Sequence, residues 1–216
     1  MSLELKKKAV IQLRFLYPVW AIVGMLGILY VPSKLIVHGD AITTVQNIQT
    51  NEFLFRTGIV SSLITQLLFI IVVLLLYRLF KDVNTDQAIL MVVFALVSVP
   101  ISMLNSLNRV AALFQLNHPD QAMLYLDLNE QGIIIASIFW GLWLFPLGYL
   151  IARSGYFPKF IGYAVIVGGV GYTIGSFTHL LNPDLHTVLT ICEFMTLGEI
   201  IWLLWLIIRG AKWQQE

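Results

Sequence analysis

The chain has 216 residues, of which 58% are hydrophobic and only 12% are charged, and its formal net charge is +1 at pH 7. A soluble domain needs about 25% charged residues to cover its surface, so this composition excludes a soluble globular protein. The small net charge also excludes a nucleic-acid-binding protein. A single cysteine, Cys192, excludes an intrachain disulfide. The composition indicates a polytopic membrane protein.

Six stretches are apolar over the ~20 residues that a helix needs to cross a bilayer. We predict an all-α, six-transmembrane-helix bundle over residues 15–209, with an N-terminal tail of residues 1–14 and a C-terminal tail of residues 210–216. The predicted spans are Phe15–Ile36, Phe53–Phe80, Ala88–Leu116, Gly132–Ala152, Phe160–Leu181 and Thr187–Ile208.

The basic residues predict how the bundle is oriented. With the N-terminus in the cytoplasm, the outer segments hold only Lys34, Arg56 and Arg109 of the 13 basic residues, as the positive-inside rule requires. Six spans then bring the C-terminus back to the same side. The sequence therefore predicts a multi-pass protein of the cell membrane with both termini in the cytoplasm.

Two outer segments differ in character. Residues 39–51 are polar, and Ile42, Val45 and Ile48 recur at every third position, which predicts a short interfacial helix. Residues 117–131 are acidic and begin near a helix-breaking His-Pro pair, so we expect a loop there.

Proline and glycine within the spans predict local geometry. Pro100 and Pro146 are expected to bend the third and fourth spans, because each removes a backbone donor. Gly171 and Gly175 form a GxxxG spacing, which lets two helices approach closely. This spacing fits either close packing within the chain or the face of a homo-oligomer.

Polar side chains inside the spans carry the functional signal, because a central charged residue costs ~2.5–3.5 kcal/mol on insertion. On the third span they recur at steps of four and three, and so share one helical face. At a rise of about 1.5 Å per residue, these stripes are expected to converge in two layers. The outer layer holds Asn105, Asn108, Arg109, His179 and Glu193, and the deeper layer holds Ser98, Tyr172 and Glu199.

The leading hypothesis is an outward-facing polar pocket that binds a small or lipid-like ligand with an anionic or hydrogen-bonding head, for sensing or transport. Arg109 and Arg56 would hold the head, because a guanidinium binds carboxylate or phosphate with two hydrogen bonds. Asn105 and Asn108 would orient it, and Glu199 would be a buried proton-dependent group. The predicted ligand-binding residues are Arg56, Ser98, Ser102, Asn105, Asn108, Arg109, Tyr172, Ser176, Glu193 and Glu199.

Simpler roles compete for two of these residues. Arg109 would alternatively extend toward the outer headgroups, as long cationic side chains do at a membrane boundary. Glu199 would alternatively be a neutral hydrogen-bond donor that ties helices together through Tyr172 or a serine.

Two other classes of function also stay open. One is a lipid-modifying intramembrane enzyme assisted by a metal, for which His38 and His179 are weak ligand candidates. No HxxxH, HExxH or HxH spacing and no motif for covalent catalysis occurs, so we lean away from an enzyme and predict no cofactor. The other class is a non-enzymatic partner or scaffold subunit, whose polar residues serve only helix packing.

Several strings spread from about Tyr17 to Arg209 resemble a bacterial and archaeal integral-membrane family known as domain of unknown function 4386. The resemblance implies a helical membrane protein from a prokaryote and brings no activity with it. Arg56, Asn105, Asn108 and Glu199 fall within the matching strings, whereas His38 and His179 do not. The strings are YVPS from Tyr30, Gly39-Asp40, Leu54–Arg56 with Gly58-Ile59, Pro100, Leu104-Asn105, Leu107-Asn108, GLWLFPLGYL from Gly141, Arg153–Gly155, Gly171-Tyr172 and Gly198-Glu199.

Overall fold

The computed structural model describes residues 2–213, and within that range the chain is helical without β-strands. A π-helical turn, Leu26–Tyr30, interrupts the helices near the N-terminus. The α-helices in chain order are α1 (Leu3–Met25), α2 (Val31–Leu35), α3 (Ala41–Thr50), α4 (Glu52–Phe80), α5 (Thr85–Phe114), α6 (Pro119–Leu142), α7 (Leu144–Arg153), α8 (Lys159–Leu181) and α9 (His186–Ile208).

Six helical segments of the described chain are long and apolar enough to cross a membrane. This finding confirms the predicted all-α bundle of six spans. The cytoplasmic position of the termini stays a prediction. The six segments are Leu3–Leu35, Glu52–Phe80, Thr85–Phe114, Pro119–Arg153, Lys159–Leu181 and His186–Ile208.

The first helix extends back through most of the segment predicted as a tail, since α1 begins at Leu3. Its polar turns stay helical because Val10, Leu13 and Tyr17 recur at helical spacing and are all buried. Of the cations in this segment, Lys7, Lys8 and Arg14 are exposed, whereas Lys6 is partly buried.

The fourth span is also longer than the sequence suggested. The prediction of a loop over residues 117–131 is wrong from Pro119 onward, because α6 begins at this proline. Proline suits the first position of a helix, where its missing N–H has no partner to lose. Ala122, Leu126 and Asn129 then bury one face of the new helix.

The two prolines that were expected to bend the third and fourth spans act differently. Pro146 has no N–H to offer the carbonyl of Leu142, and the helix is interrupted there, where α6 ends and α7 begins. Pro100 lies within an uninterrupted α5. A proline therefore breaks only one of the two helices.

The contacts divide the chain into two compact units. Unit 1 consists of the described parts of Met1–Pro18, Ile70–Ser98 and Ile134–Glu216, and unit 2 consists of Val19–Phe69 and Val99–Ile133. The helices α1, α4, α5 and α6 each supply residues to both units, and each unit is described by itself below.

In unit 2, α3 confirms the predicted short helix over residues 39–51. Its N-cap is Asp40, whose carboxylate accepts the Thr43 backbone N–H at 2.9 Å and the Thr43 hydroxyl at 2.6 Å. These hydrogen bonds hold the pKa of the Asp40 carboxyl below its ordinary value. The cap thus satisfies one of the N–H groups that begin the helix.

The inner face of α3 joins an apolar core within unit 2. Ile48 belongs to this core and Val45 is also buried, whereas Ile42 is 63% exposed, so two of the three predicted apolar positions are buried. The core therefore seats α3 against the segments that carry the polar residues described below. The buried members around Ile48 are Val31, Leu35, Phe55, Ile59, Ala112 and Leu126.

In unit 1, α8 packs along both α7 and α9. Glycines allow the approach: a Cβ on Gly171 would lie 2.5 Å from the Cys192 carbonyl oxygen, and one on Gly175 would lie 3.2 Å from the Cys192 Cβ. Both glycines therefore contact α9 of the same chain. Their use as a homo-oligomer face stays a prediction.

The tightest of these contacts gives a test with a matched control. A Cβ on Gly198 would overlap the Ala164 backbone carbonyl, whereas the nearest atom to a Cβ on Gly168 would be the Met195 carbonyl oxygen at 3.5 Å. We expect Gly198→Ala to lower the free energy of unfolding by about 1–3 kcal/mol. Gly168→Ala should be neutral or stabilise by up to about 1 kcal/mol. Thermal unfolding in detergent measures both, and equal effects would contradict the packing described.

Candidate functional site

The Arg109 side chain is buried in unit 2 and bonded to three other segments. It lies near the C-terminal end of α5 and is only 5% exposed. Its Nε donates to Asn129 Oδ1 at 2.9 Å. Its Nη1 donates to the Gly27 carbonyl at 2.8 Å and to Ser62 Oγ at 3.4 Å. The guanidinium thus joins α4, α5, α6 and the π-helical turn.

The π-helical turn explains why the Gly27 carbonyl is open to Arg109. The Val31 N–H donates to the Leu26 carbonyl, five residues back, which widens the helix. The next position, Pro32, has no N–H. The Gly27 carbonyl is therefore left without an intrahelical donor, and the guanidinium supplies one.

Two asparagines hold α5 and α6 together beside the guanidinium. Asn105 Nδ2 donates to the Asn129 carbonyl at 2.8 Å, and Asn129 Nδ2 donates to the Asn105 carbonyl at 3.1 Å. Asn108 Nδ2 donates to Asn105 Oδ1 at 2.9 Å. A Cβ on Gly132 would overlap the Asn105 side chain, so glycine makes room for this pairing. These bonds fix the Asn129 oxygen that Arg109 contacts.

These groups form one network, which we call the Arg109 cluster. Every acceptor that the guanidinium contacts is neutral. No carboxylate of unit 2, all of whose residues the structure describes, lies within 4.0 Å of it, and its Nη2 makes no hydrogen bond within that unit. Neutral groups of unit 2 thus bind the guanidinium, but no carboxylate of unit 2 compensates its positive charge. The cluster consists of Gly27, Ser62, Asn105, Asn108, Arg109 and Asn129.

Arg56 lies outside this network. Its side chain is on the surface, where Nε and Nη2 each contact Glu52 Oε1 at 2.7 Å. This ion pair joins neighbouring turns of α4. Arg56 therefore has the carboxylate partner that Arg109 lacks in unit 2, and its predicted role in holding a ligand stays a prediction.

Three predicted serines make only local contacts or none. Ser98 Oγ donates to the Ala95 carbonyl at 2.7 Å, and Ser176 Oγ donates to the Tyr172 carbonyl at 2.8 Å. Ser102 Oγ, in unit 2, is buried without a hydrogen-bond partner among the described residues. The first two hydroxyls are therefore satisfied by their own helices.

Two residues of the deeper predicted group, Glu199 and Tyr172, make interhelical contacts within unit 1. The fully buried Tyr17 donates from its hydroxyl to Glu199 Oε1 over 3.4 Å. Tyr172 instead packs its ring edge-on against Trp140, with centroids 6.5 Å apart. Glu199 is thus tied to α1 rather than through Tyr172 or a serine, and its proton-dependent role stays a prediction.

The members of the predicted outer layer are divided between the two units. Asn105, Asn108 and Arg109 meet within unit 2. His179 and Glu193 belong to unit 1, where Glu193 is exposed on the protein surface. The convergence of all five residues in one layer stays a prediction.

Side chains that could hold a metal are dispersed. Within residues 2–213, no three His, Cys, Asp or Glu side chains lie close enough together to ligate one ion. The two weak candidates lie in different units: His38 precedes α3, and His179 is in the last turn of α8.

Three residues that make the contacts described above were not predicted from the sequence. Asn129 falls in the stretch predicted as a loop, although its spacing from Ala122 and Leu126 was a helical signal. Tyr17 shows a similar signal, at helical spacing from Leu13. Gly27 acts through its backbone carbonyl, which no side-chain pattern reveals.

Removing the Asn129 side chain tests the network. Asn129→Ala deletes the acceptor for the Arg109 Nε and the donor to the Asn105 carbonyl. We expect it to lower the free energy of unfolding by about 3 kcal/mol, since one of the lost bonds involves a charged group. Gln121→Ala, on the exposed face of the same helix, should change it by less than about 0.5 kcal/mol. Comparable unfolding curves for the two variants would contradict the network.

Comparison with known proteins identifies relatives of the chain. A family model described as "Domain of unknown function (DUF4386)" matches residues 15–210. A protein of Archaeoglobus fulgidus, described as an uncharacterized protein, is 34% identical over 123 residues, which cover 54% of this chain and 69% of the relative. No solved structure matches the chain. The matched range of the family model contains every member of the Arg109 cluster.

Proposed function

The chain belongs to the family described as domain of unknown function (DUF4386), and we propose that it binds the anionic head of a small or lipid-like ligand at Arg109, for sensing or transport. In this proposal it is a multi-pass protein of the cell membrane with cytoplasmic termini. The observation that carries the proposal is a buried guanidinium whose contacts within unit 2 are all neutral.

The chemistry of the guanidinium supports an anionic ligand. Arg109 donates hydrogen bonds from Nε and Nη1 to neutral oxygens, and the two N–H groups of Nη2 make no hydrogen bond within unit 2. A carboxylate or phosphate accepts such paired donors and compensates the charge at the same time. The ligand head would therefore complete the coordination that the protein begins.

The competing role of Arg109 as a headgroup-seeking side chain fits less well. Such a side chain directs its charged end away from the helices toward the membrane boundary. The Arg109 guanidinium instead bonds to a backbone carbonyl and two side chains of its own unit, and the residue is 5% exposed. These contacts favour a role inside the bundle. Asn105 and Asn108, both partly buried beside it, supply the amide groups that would orient the head.

Ligand titration tests this role with simple probes. Octanoate and octyl phosphate each present one anionic head on a short alkyl chain. We expect Arg109→Lys to weaken the binding of at least one of them by about tenfold, because an ammonium keeps the charge but not the paired donors. Thermal-shift titration of the detergent-purified full chain measures this change.

Arg153→Lys is the matched control, because it makes the same change at an arginine that lies over the Tyr149 ring in unit 1 and has no place in the proposed site. This variant should leave the affinity within about twofold of the unsubstituted protein, well under the tenfold effect expected of a lost anion contact. Equal affinities for the unsubstituted protein and Arg109→Lys would contradict the proposal, as would a larger loss in Arg153→Lys.

Labelling of single cysteines tests the proposed orientation. In a Cys192→Ser background, Ser2→Cys lies before the first span and Gln121→Cys lies early in the fourth. The proposed orientation predicts that a membrane-impermeant maleimide labels Gln121→Cys on intact bacterial cells and labels Ser2→Cys only after permeabilisation. The reverse pattern would show that the protein is inverted.

A further inference from the structure

A groove in unit 1 lies between the first helix and the end of α4. Its volume is about 300 Å³. The α1 residues that line it, from Leu5 to Gln12, follow the spacing of one helical face, and the opposite side comes from the last turn of α4 and the residue after it. The six lining residues are Leu5, Lys8, Ala9, Gln12, Arg78 and Lys81.

Three of the lining side chains are cationic, and they come from two different segments. Within residues 2–213, Lys8, Arg78 and Lys81 form no ion pair, and Glu4, one turn before Lys8, forms none either. Like charges that converge in this way repel one another unless an anion lies between them. The groove thus concentrates positive charge that the described chain does not neutralise.

The neighbouring Lys6 has partners within the chain and is a useful comparison for the three groove cations. Its Nζ contacts Asp82 Oδ2 at 3.1 Å and the Tyr156 hydroxyl at 2.9 Å. That ion pair connects α1 to the segment that follows α4, and it engages the acidic group next to Lys81. Among the described residues, the three groove cations therefore differ from Lys6 in having no such partner.

Two ordinary explanations account for part of this arrangement. A cation in the last turn of α4 interacts favourably with the partial negative charge at the helix C-terminus, which explains Arg78 alone. Basic residues near the end of a span also set membrane orientation, but that effect depends on their number and not on their convergence around a groove. Neither explanation requires Lys8 to face Arg78 and Lys81.

We propose that this groove binds the phosphate group of an anionic phospholipid. Lys8, Arg78 and Lys81 surround the phosphate, and Gln12 adds an amide to the same wall. Leu5 and Ala9 give the wall an apolar part, which suits the glycerol and the start of an acyl chain. The groove is built from the ends of two segments long enough to span a membrane, and basic pockets at such positions recognise lipid headgroups. This site is separate from the Arg109 cluster and does not depend on its proposed role.

Titration of the detergent-purified full chain with dioctanoyl phosphatidylglycerol tests the proposal. Lys8→Gln and Lys81→Gln should each weaken binding by about fivefold, and the double variant should weaken it by more than about tenfold. Lys7→Gln is the matched control, since Lys7 is exposed on the same helix and does not line the groove. It should change the affinity by less than about twofold.

Further titrations identify the source of the phosphate and distinguish the groove from the Arg109 cluster. Dioctanoyl phosphatidylcholine should bind at least about tenfold more weakly than phosphatidylglycerol, because its headgroup carries no net charge. Inorganic phosphate that bound as tightly as phosphatidylglycerol would reject the lipid as the source. Arg109→Lys should leave phosphatidylglycerol binding at the groove unchanged. Unchanged affinity in the Lys8→Gln, Lys81→Gln double variant, or an equal loss in Lys7→Gln, would overturn the proposal.

Discussion

A guanidinium taken out of water must find an acceptor for its N–H groups and compensation for its charge, and this requirement organises unit 2. Arg109 meets the first part with neutral oxygens from Asn129, Gly27 and Ser62. An uncompensated buried ion costs several kcal/mol even after the protein relaxes. Neutral acceptors reduce this cost, but they do not remove the charge. In the proposed function, the anionic head of a ligand supplies this compensation.

Other polar residues of the spans find hydrogen-bond partners within the protein and carry no permanent charge. The hydroxyls of Ser98 and Ser176 donate hydrogen bonds to backbone carbonyls of their own helices. The Glu199 carboxyl accepts a hydrogen bond from a tyrosine hydroxyl. Such contacts satisfy polar groups in an apolar bundle without a ligand. Arg109 differs because it is a permanent charge that four segments of unit 2 enclose. These three polar groups are thus satisfied by contacts within the protein, whereas Arg109 is the position at which we propose a ligand.

Much of the fold could be predicted because length and hydropathy determine where a helix can cross a bilayer. The ends of helices depend on finer chemistry, so Pro119 could start a helix where a loop was expected. The Asn105, Asn108 and Arg109 stripe was visible because its members share one helical face. Asn129 was hidden by the misread loop, and Gly27 contributes a carbonyl that only the π-helical turn opens. Backbone acceptors and interhelical partners depend on tertiary packing, which periodicity along one chain does not encode.

The most direct test of an anion at Arg109 is an experimental map of the protein in lipid nanodiscs at a resolution that defines side chains. The account predicts density for an anionic group within about 3 Å of the Arg109 Nη2 atom, beside the Asn105 and Asn108 amides. A carboxylate of the chain itself at that atom would contradict it, because the charge would then be compensated internally. Apolar side chains packed against Nη2 would contradict it equally.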